Sequence, residues 1–102
     1  MGFFGLFGND SSAEVKKMLE SGAVVIDVRT PSEFKAGHVP GSKNIPLNEI
    51  KGKVGALKKM GKPIVLCCQS GARSGQATGF LKAQGIECEN GGGWNQVNSL
   101  RG

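Results

Sequence analysis

The chain has 102 residues, 38% of them hydrophobic, with 13 Lys+Arg against 8 Asp+Glu, a net charge of +5 and a sequence pI of about 9.4. That length holds one compact domain and excludes a second. The lysines are scattered from Lys16 to Lys82, Trp94 is the only Trp and Tyr is absent, so the excess charge reads as a solvated surface or a field for small anions, with no nucleic-acid interface.

Residues 1–10 read as an apolar N-terminal arm and 11–102 as the folded domain. Met1-Gly2-Phe3-Phe4-Gly5-Leu6-Phe7-Gly8 is too short to span a bilayer and lacks the basic region and cleavage site of a secretory leader. It has Leu6 where a myristoylation signal has Ser or Thr. The expectation is a flexible arm or strand remnant, with Phe3, Phe4 and Phe7 as a candidate weak contact for a membrane or a protein partner.

Asp10-Ser11-Ser12-Ala13-Glu14 opens a helix, with Ser11 as N-cap and Glu14 completing a capping box. Val15, Met18 and Leu19 recur at helical spacing, and Gly22 ends the helix. Ala23 to Val28 is a continuous run rich in β-branched residues, the pattern of a buried parallel strand. Thr30-Pro31-Ser32-Glu33-Phe34 predicts a capped short helix with Pro31 at its first position. Turn chemistry follows in His38-Val39-Pro40-Gly41-Ser42, and Asn44-Ile45-Pro46-Leu47 predicts a short strand ended by proline. Asn48 is placed to cap a helix from about Glu49 to Met60, with Ile50, Val54 and Leu57 inward, broken by Gly61-Lys62-Pro63. Ile64 to Cys67 is the second strong strand. Ala72 to Gln84 predicts a helix with Ala77, Phe80 and Leu81 facing the core, stopped by Gly85. Ile86 to Glu89 reads as a third strand, Gly91 to Trp94 as a turn and Asn95 to Leu100 as a last short helix. Strands alternating with helices predict a three-layer α/β domain, a mostly parallel central sheet with helices on both faces. Ligands of such sheets bind beyond the C-terminal strand ends, where Asp27 and Cys68 lie.

Three cysteines, Cys67, Cys68 and Cys88, make no disulfide scaffold and point to a reducing, cytoplasmic setting with at least one reactive thiol. No C-x-x-C is present and His38 is the only histidine, so no zinc pattern exists. The chemistry-bearing stretch is Cys68-Gln69-Ser70-Gly71-Ala72-Arg73-Ser74, between a strand end and a helix start. Backbone N–H groups and the helix dipole there stabilise a thiolate, the reactive form of cysteine, and Arg73 adds a fixed positive charge. With Cys68 as nucleophile the loop runs six residues to Arg73, a nest suited to holding a persulfide. With Cys67 it runs seven, the spacing of a phosphate cradle in a cysteine-dependent phosphatase or arsenate reductase. Cys67 continues the apolar strand, and Leu66 stands where the phosphatase signature has His; both favour Cys68. By itself the loop leaves chemistry and an ordinary turn with structural thiols evenly balanced.

Beyond the loop, the run from Asp27-Val28-Arg29 through Glu33-Phe34-Lys35-Ala36-Gly37-His38-Val39-Pro40-Gly41-Ser42 to Asn44-Ile45-Pro46 resembles the N-terminal signature of single-domain rhodaneses, which are sulfurtransferases. Cys68 to Ser74 is similar to that family's active-site loop, and Gly92-Gly93-Trp94 to its C-terminal turn. The resemblance implies a rhodanese-like domain and a double displacement. The Cys68 thiolate takes the sulfane sulfur of thiosulfate, or of another persulfide or polysulfide donor, and passes it to a thiol or cyanide. It implies that Gln69, Ser70, Gly71, Ala72 and Arg73 bind the anionic donor, with Arg73 at its sulfonate end, and that no cofactor is needed. Two departures stand out. Only the Phe-Gly segment is available for the family's first strand, and Val97 replaces its second C-terminal aromatic. A non-catalytic binding module ranks low, because Cys68 is present.

Asp27 and Arg29 are candidate pocket residues, Asp27 balanced between lining the pocket and serving as a buried hydrogen-bond acceptor. Arg29 and Glu33, four apart, are expected to form a structural ion pair that shapes their loop. His38 is expected to make a local hydrogen bond, Trp94 to pack in the core, and Cys88 to be a buried thiol with a resolving role as its less favoured alternative. Nothing in the pattern sets the oligomeric state.

Overall fold

A computed structural model describes residues 8–101, with side chains from Ser12 onward. The apolar segment with Phe3, Phe4 and Phe7, and with it the expected extra strand, lies outside the described residues. Four parallel strands form one sheet in the order β2-β1-β3-β4. They are β1 (Val24–Asp27), β2 (Lys43–Asn44), β3 (Ile64–Cys68) and β4 (Cys88–Gly93). The helices are α1 (Gly8–Glu20), α2 (Pro31–Ala36), α3 (Val54–Met60), α4 (Ala72–Ala83) and α5 (Trp94–Arg101), with a 3-10 helix at Leu47–Lys53. No helix among the described residues is long and apolar enough to cross a membrane.

Strand alternation sorts the core into two layers, because successive side chains point to opposite faces. Ile26, Val28, Ile64, Leu66 and Cys68 face one way and pack with Ile50, Leu57, Ala77 and Leu81. Val25, Val65 and Cys67 face the other way and meet Val15, Met18, Val39 and Val97. β3 is central and buried along its whole length, as the β-branched and apolar run Ile64-Val65-Leu66 requires. The α/β architecture with helices on both faces is therefore the one the alternation predicts.

Four differences from the sequence reading go beyond a residue at an element's end. α1 begins at Gly8, so Ser11 lies inside the helix and Gly8 to Asp10 belong to it rather than to an arm. Asn9, Asp10, Ser11 and Ser12 are all capping residue types, so the sequence offers several equivalent starts. β2 is Lys43–Asn44 rather than Asn44 to Leu47; Ile45 and Leu47 still donate to Asp27 and Val28 carbonyls, but Pro46 has no N–H to continue the ladder. The helix expected from Glu49 to Met60 is split into the 3-10 helix and α3, with Pro46, not Asn48, at the N-cap position. Gly52 and Gly55 both weaken a continuous α-helix there.

The fourth difference matters most for the site. The glycine run is the end of β4, not a turn. Its register on β3 slips between Leu66 and Cys67, so that Leu66 faces Asn90 and Cys67 faces Gly92. Gly91 is the extra residue in that slip. A Cβ there would lie 2.5 Å from Val97 Cγ2, 2.8 Å from Val65 Cγ1 and 3.1 Å from the Leu66 carbonyl. Gly91 has no room for a side chain, Gly92 sits at a left-handed φ of 86°, and a Cβ at Gly93 would lie 3.0 Å from the Gln69 carbonyl oxygen. Gly91→Ala is expected to destabilise the domain by about 1–3 kcal/mol, the usual range for overpacking a filled core. Urea denaturation would show it as a lower midpoint, and an unchanged midpoint would mean that β4 can relax away.

Candidate active site

Adjacent residues on β3 place the two thiols back to back. Cys67 faces the α1 and α5 layer, and Cys68 faces the α4 layer. Burial, then the Asp27 charge, push the Cys67 thiol up to about 12, with Arg29 offsetting a part. Cys68 is also fully buried, yet its balance is reversed. Its sulfur accepts from the Gly71 N–H at 3.0 Å and the Ser74 N–H at 3.4 Å, and the Ser74 hydroxyl lies 3.4 Å away. Burial raises its thiol, but the Ser74 hydroxyl and the Ser74, Gly71 and Ser70 amides outweigh it, leaving Cys68 below the ordinary cysteine value. Of the two thiols, only Cys68 is shifted toward its ionised form.

The loop reaches this geometry through Gly71, the N-cap of α4, at φ 99°. That left-handed conformation strains any residue with a Cβ, and a Cβ here would also meet Gly92 Cα at 3.2 Å. The turn aims the Gly71 N–H at the sulfur and starts α4 at Ala72, so the positive end of the helix faces Cys68. Gln69, Ser70 and Ala72 are exposed on the outer side of the loop, and Ser70 Oγ accepts from the Ala72 N–H at 3.4 Å. A cavity of about 390 Å³ lined by Leu57, Lys62, Pro63 and Ile86 lies at the opposite end of the sheet, where β3 and β4 begin.

Arg73 does not hang free over the loop. Its guanidinium forms a two-pronged ion pair with Glu33 at 2.8 and 3.0 Å, each side chain about one-third exposed (36% and 35%). Glu33 also closes the α2 capping box, accepting from the Thr30 N–H while its own N–H donates to Thr30 Oγ1. The expected Arg29–Glu33 pair is thus replaced by Arg73–Glu33, because Arg29 is turned inward to Asp27. Arg29 Nε lies 2.9 and 3.0 Å from the two Asp27 oxygens, and Nη2 lies 2.7 Å from Oδ2. Asp27 and Arg29 are 0% and 3% exposed, so both sit behind the site and do not line an open pocket.

His38 makes a local contact, Nδ1 to the Phe34 carbonyl at 2.7 Å, with its ring stacked on Phe34. Trp94 packs against the second core layer, under the Arg29 guanidinium at 5.1 Å. Cys88 is buried, and burial raises its thiol. It pairs with Ile64 while Cys68 pairs with Gly93, four residues further along β3. That spacing is about 13 Å along a strand, and a disulfide needs Cα atoms within about 7 Å. Cys88 therefore does not reach Cys68. Sequence reasoning missed three contributors. Ser74 was visible as the residue after Arg73. Glu33 was visible but paired with the wrong arginine. Asn90, two residues after Cys88 on the same strand face, gave only the signal of a polar residue at an inward position.

The Glu33 contacts set a pH dependence. The Arg73 guanidinium first, then the Thr30 amide, bring Glu33 from the ordinary 4.5 down to about 2. A depressed carboxylate contributes stability above its unfolded value and loses it as pH falls through its folded value. The thermal midpoint of Glu33→Gln is expected to lie below that of the wild type at neutral pH, the gap closing between 4.5 and about 2. Circular dichroism melts across that range check it; a gap that does not depend on pH would remove the ion pair as its source.

A model of the rhodanese-like domain family matches residues 11–102. The uncharacterized protein YqhL of Bacillus subtilis is 43% identical over 63 residues, 62% of this chain and 49% of that protein, so the match spans about half of that relative. Thiosulfate sulfurtransferase PspE of Escherichia coli is 36% identical over 74 residues, 71% of each chain. Among solved structures, the fold is similar to a rhodanese-related protein from Thermoplasma volcanium, with a TM-score of 0.72, 30% identity and 89% of both chains covered. With its three motifs folded onto one parallel sheet and the family match running from Ser11 to the last residue, the chain belongs to the rhodanese-like domain family.

Proposed function

We propose that this chain is a rhodanese-type sulfurtransferase that carries sulfane sulfur as a persulfide on Cys68. The observation behind this reading is the Cys68 sulfur, a buried thiol held below its ordinary value by amides and a hydroxyl at the N-terminus of α4. The name of the relative PspE, a thiosulfate sulfurtransferase, supports it.

The reaction follows from the groups present. The Cys68 thiolate attacks the outer sulfur of thiosulfate. A bond forms between the two sulfurs, the bond to the sulfonate sulfur breaks, and sulfite leaves with its electron pair. Cys68 Sγ is then an uncharged sulfur carrying an anionic outer sulfur. Gln69 to Arg73 surround that position with backbone amides, which stabilise the anion without a cofactor. An acceptor thiolate, or cyanide in an assay, attacks the outer sulfur, and Sγ departs as the thiolate. Arg73, held by Glu33, offers its positive edge to the sulfonate end of the donor, and the net charge of +5 favours the approach of small anions. A reducing, cytoplasmic setting fits the free thiols Cys67, Cys68 and Cys88. The Cys67 phosphatase alternative is disfavoured, since Cys67 faces the other layer and is pushed up to about 12.

Intact mass after incubation with thiosulfate tests the proposal. The wild type and Cys67→Ala are expected to gain one sulfur and lose it to cyanide, while Cys68→Ser gains none. A sulfur retained in Cys68→Ser would overturn the assignment of the nucleophile. No gain in any of the three, with polysulfide as donor as well, would overturn the activity.

A further inference from the structure

Ser74 has one hydroxyl proton and faces two acceptors. Its Oγ lies 2.7 Å from Asn90 Oδ1 and 3.4 Å from Cys68 Sγ. The orientation of the Asn90 carboxamide is fixed by its other neighbours. Its Nδ2 donates to the Gly71 carbonyl at 3.0 Å, and its Oδ1 accepts from the Gly92 N–H at 3.0 Å. Flipping the amide would set its oxygen against a carbonyl and its NH2 against an N–H, replacing two attractions by two repulsions. The atom facing Ser74 is therefore an oxygen, and only the Ser74 hydroxyl can supply the proton between them. With that proton given to Asn90, Ser74 presents a lone pair to Cys68. A neutral thiol can donate into it; a thiolate cannot use it.

We propose that Asn90 is a positioning residue that competes with the Cys68 thiolate for the Ser74 hydroxyl proton, which leaves the thiolate more basic and more nucleophilic than the loop alone would make it. The inference rests on Cys68 being the reactive thiol. In the thiol state the bonds run Cys68 S–H to Ser74 Oγ, and Ser74 O–H to Asn90 Oδ1. When Cys68 loses its proton to solvent, the Ser74 hydroxyl rotates to the sulfur, and Asn90 Oδ1 keeps the Gly92 N–H alone. Each ionisation thus gains a donor for sulfur and gives up a short bond to Asn90. This opposition has a chemical use. The loop amides and the α4 dipole already depress the thiol, and a thiolate held too tightly attacks sulfur poorly, because nucleophilicity falls with basicity.

Asn90 acts through Ser74 rather than through the placement of the loop. The Gly71 carbonyl also accepts from the Gly75 N–H at 2.9 Å, a bond within the turn of α4 itself. The charged groups on the elements packed around the site come in pairs: Arg73 with Glu33 on the loop side, Asp27 with Arg29 behind β3, and Lys82 with Glu89 across α4 and β4. None of these pairs uses Ser74 or Asn90 as a partner.

Ultraviolet thiolate absorbance against pH tests this directly. The chain has no Tyr, so no phenolate interferes. Cys67 is pushed up to about 12 and burial raises Cys88, which leaves Cys68 alone at the low end. The Cys68 midpoint is expected to fall by about half to one pH unit in Asn90→Leu, the size of the neutral Ser74–Asn90 hydrogen bond that ionisation no longer gives up. It is expected to rise in Ser74→Ala, and Asn90→Leu is expected to add no shift in the Ser74→Ala background. Asn90→Ala serves as the second variant where the larger side chain does not fit. Midpoints raised or unchanged in both Asn90 variants would overturn the proposal, as would a full shift that persists without Ser74. The titration needs no sulfur transfer: a protein that shows these shifts but takes no sulfur keeps this inference and loses the proposed activity.

Discussion

The buried ion pair between Asp27 and Arg29 organises the site end of the molecule. Asp27 closes β1, and its carboxylate takes both the backbone N–H and the guanidinium of Arg29. Arg29 in turn donates to the Gly37 carbonyl at 2.7 Å and lies over the Trp94 ring. Asn44 bonds the carbonyls of both residues from β2. One pair thus ties β1, the segment after α2, β2 and α5 together. Such a pair adds little net stability compared with a well-packed apolar core, but removing one partner costs about 3–5 kcal/mol. Its value lies in fixing where α2 starts. Among the described residues, no buried side-chain nitrogen or oxygen lacks a partner, so the polar centre is complete.

From that anchor, position passes outward to the thiol. The Thr30 and Glu33 capping box sets the first turn of α2, and Glu33 holds Arg73 on the facing loop. Arg73 stands at the second position of α4, whose first turn supplies the amides around Cys68. On the other side of the loop, β4 runs close enough that a Cβ at Gly71 would meet Gly92 Cα at 3.2 Å, and Gly91 itself has no space for one. The slipped register that admits Gly91 also brings the Asn90 carboxamide to Ser74 and Gly71. The environment of Cys68 is therefore built by three separate elements, α2, α4 and β4.

Two neighbouring thiols with opposite properties follow from strand alternation together with the hydrogen bonds of the loop. Cys67 and Cys68 share a backbone and a level of burial, both being 0% exposed. They differ in direction. One points into an apolar layer beside the Asp27 charge, the other toward the start of a helix. Burial raises both thiols, and only hydrogen bonds to the charged form reverse it for Cys68. Burial by itself therefore says nothing about which cysteine reacts.

The sequence by itself determined the layered α/β fold and the strand-to-helix position of the Cys68 loop. These rest on local rules: β-branched runs make buried strands, Thr-Pro-x-Glu caps a helix, and side chains alternate along a strand. The partner of Arg73, the strand nature of the glycine run and the Asn90–Ser74–Cys68 chain were decided only by tertiary structure. Glu33 and Arg73 are 40 residues apart, and Ser74 and Asn90 are 16 apart. No local spacing encodes such pairs. A glycine run between Asn90 and Trp94 obeys turn chemistry until a neighbouring strand and helix leave no room for a Cβ at Gly91. Arg29 shows the same limit. At four residues from Glu33 it has the ideal helical spacing for an ion pair, yet the desolvated Asp27 carboxylate in the core holds it more strongly than an exposed Glu can.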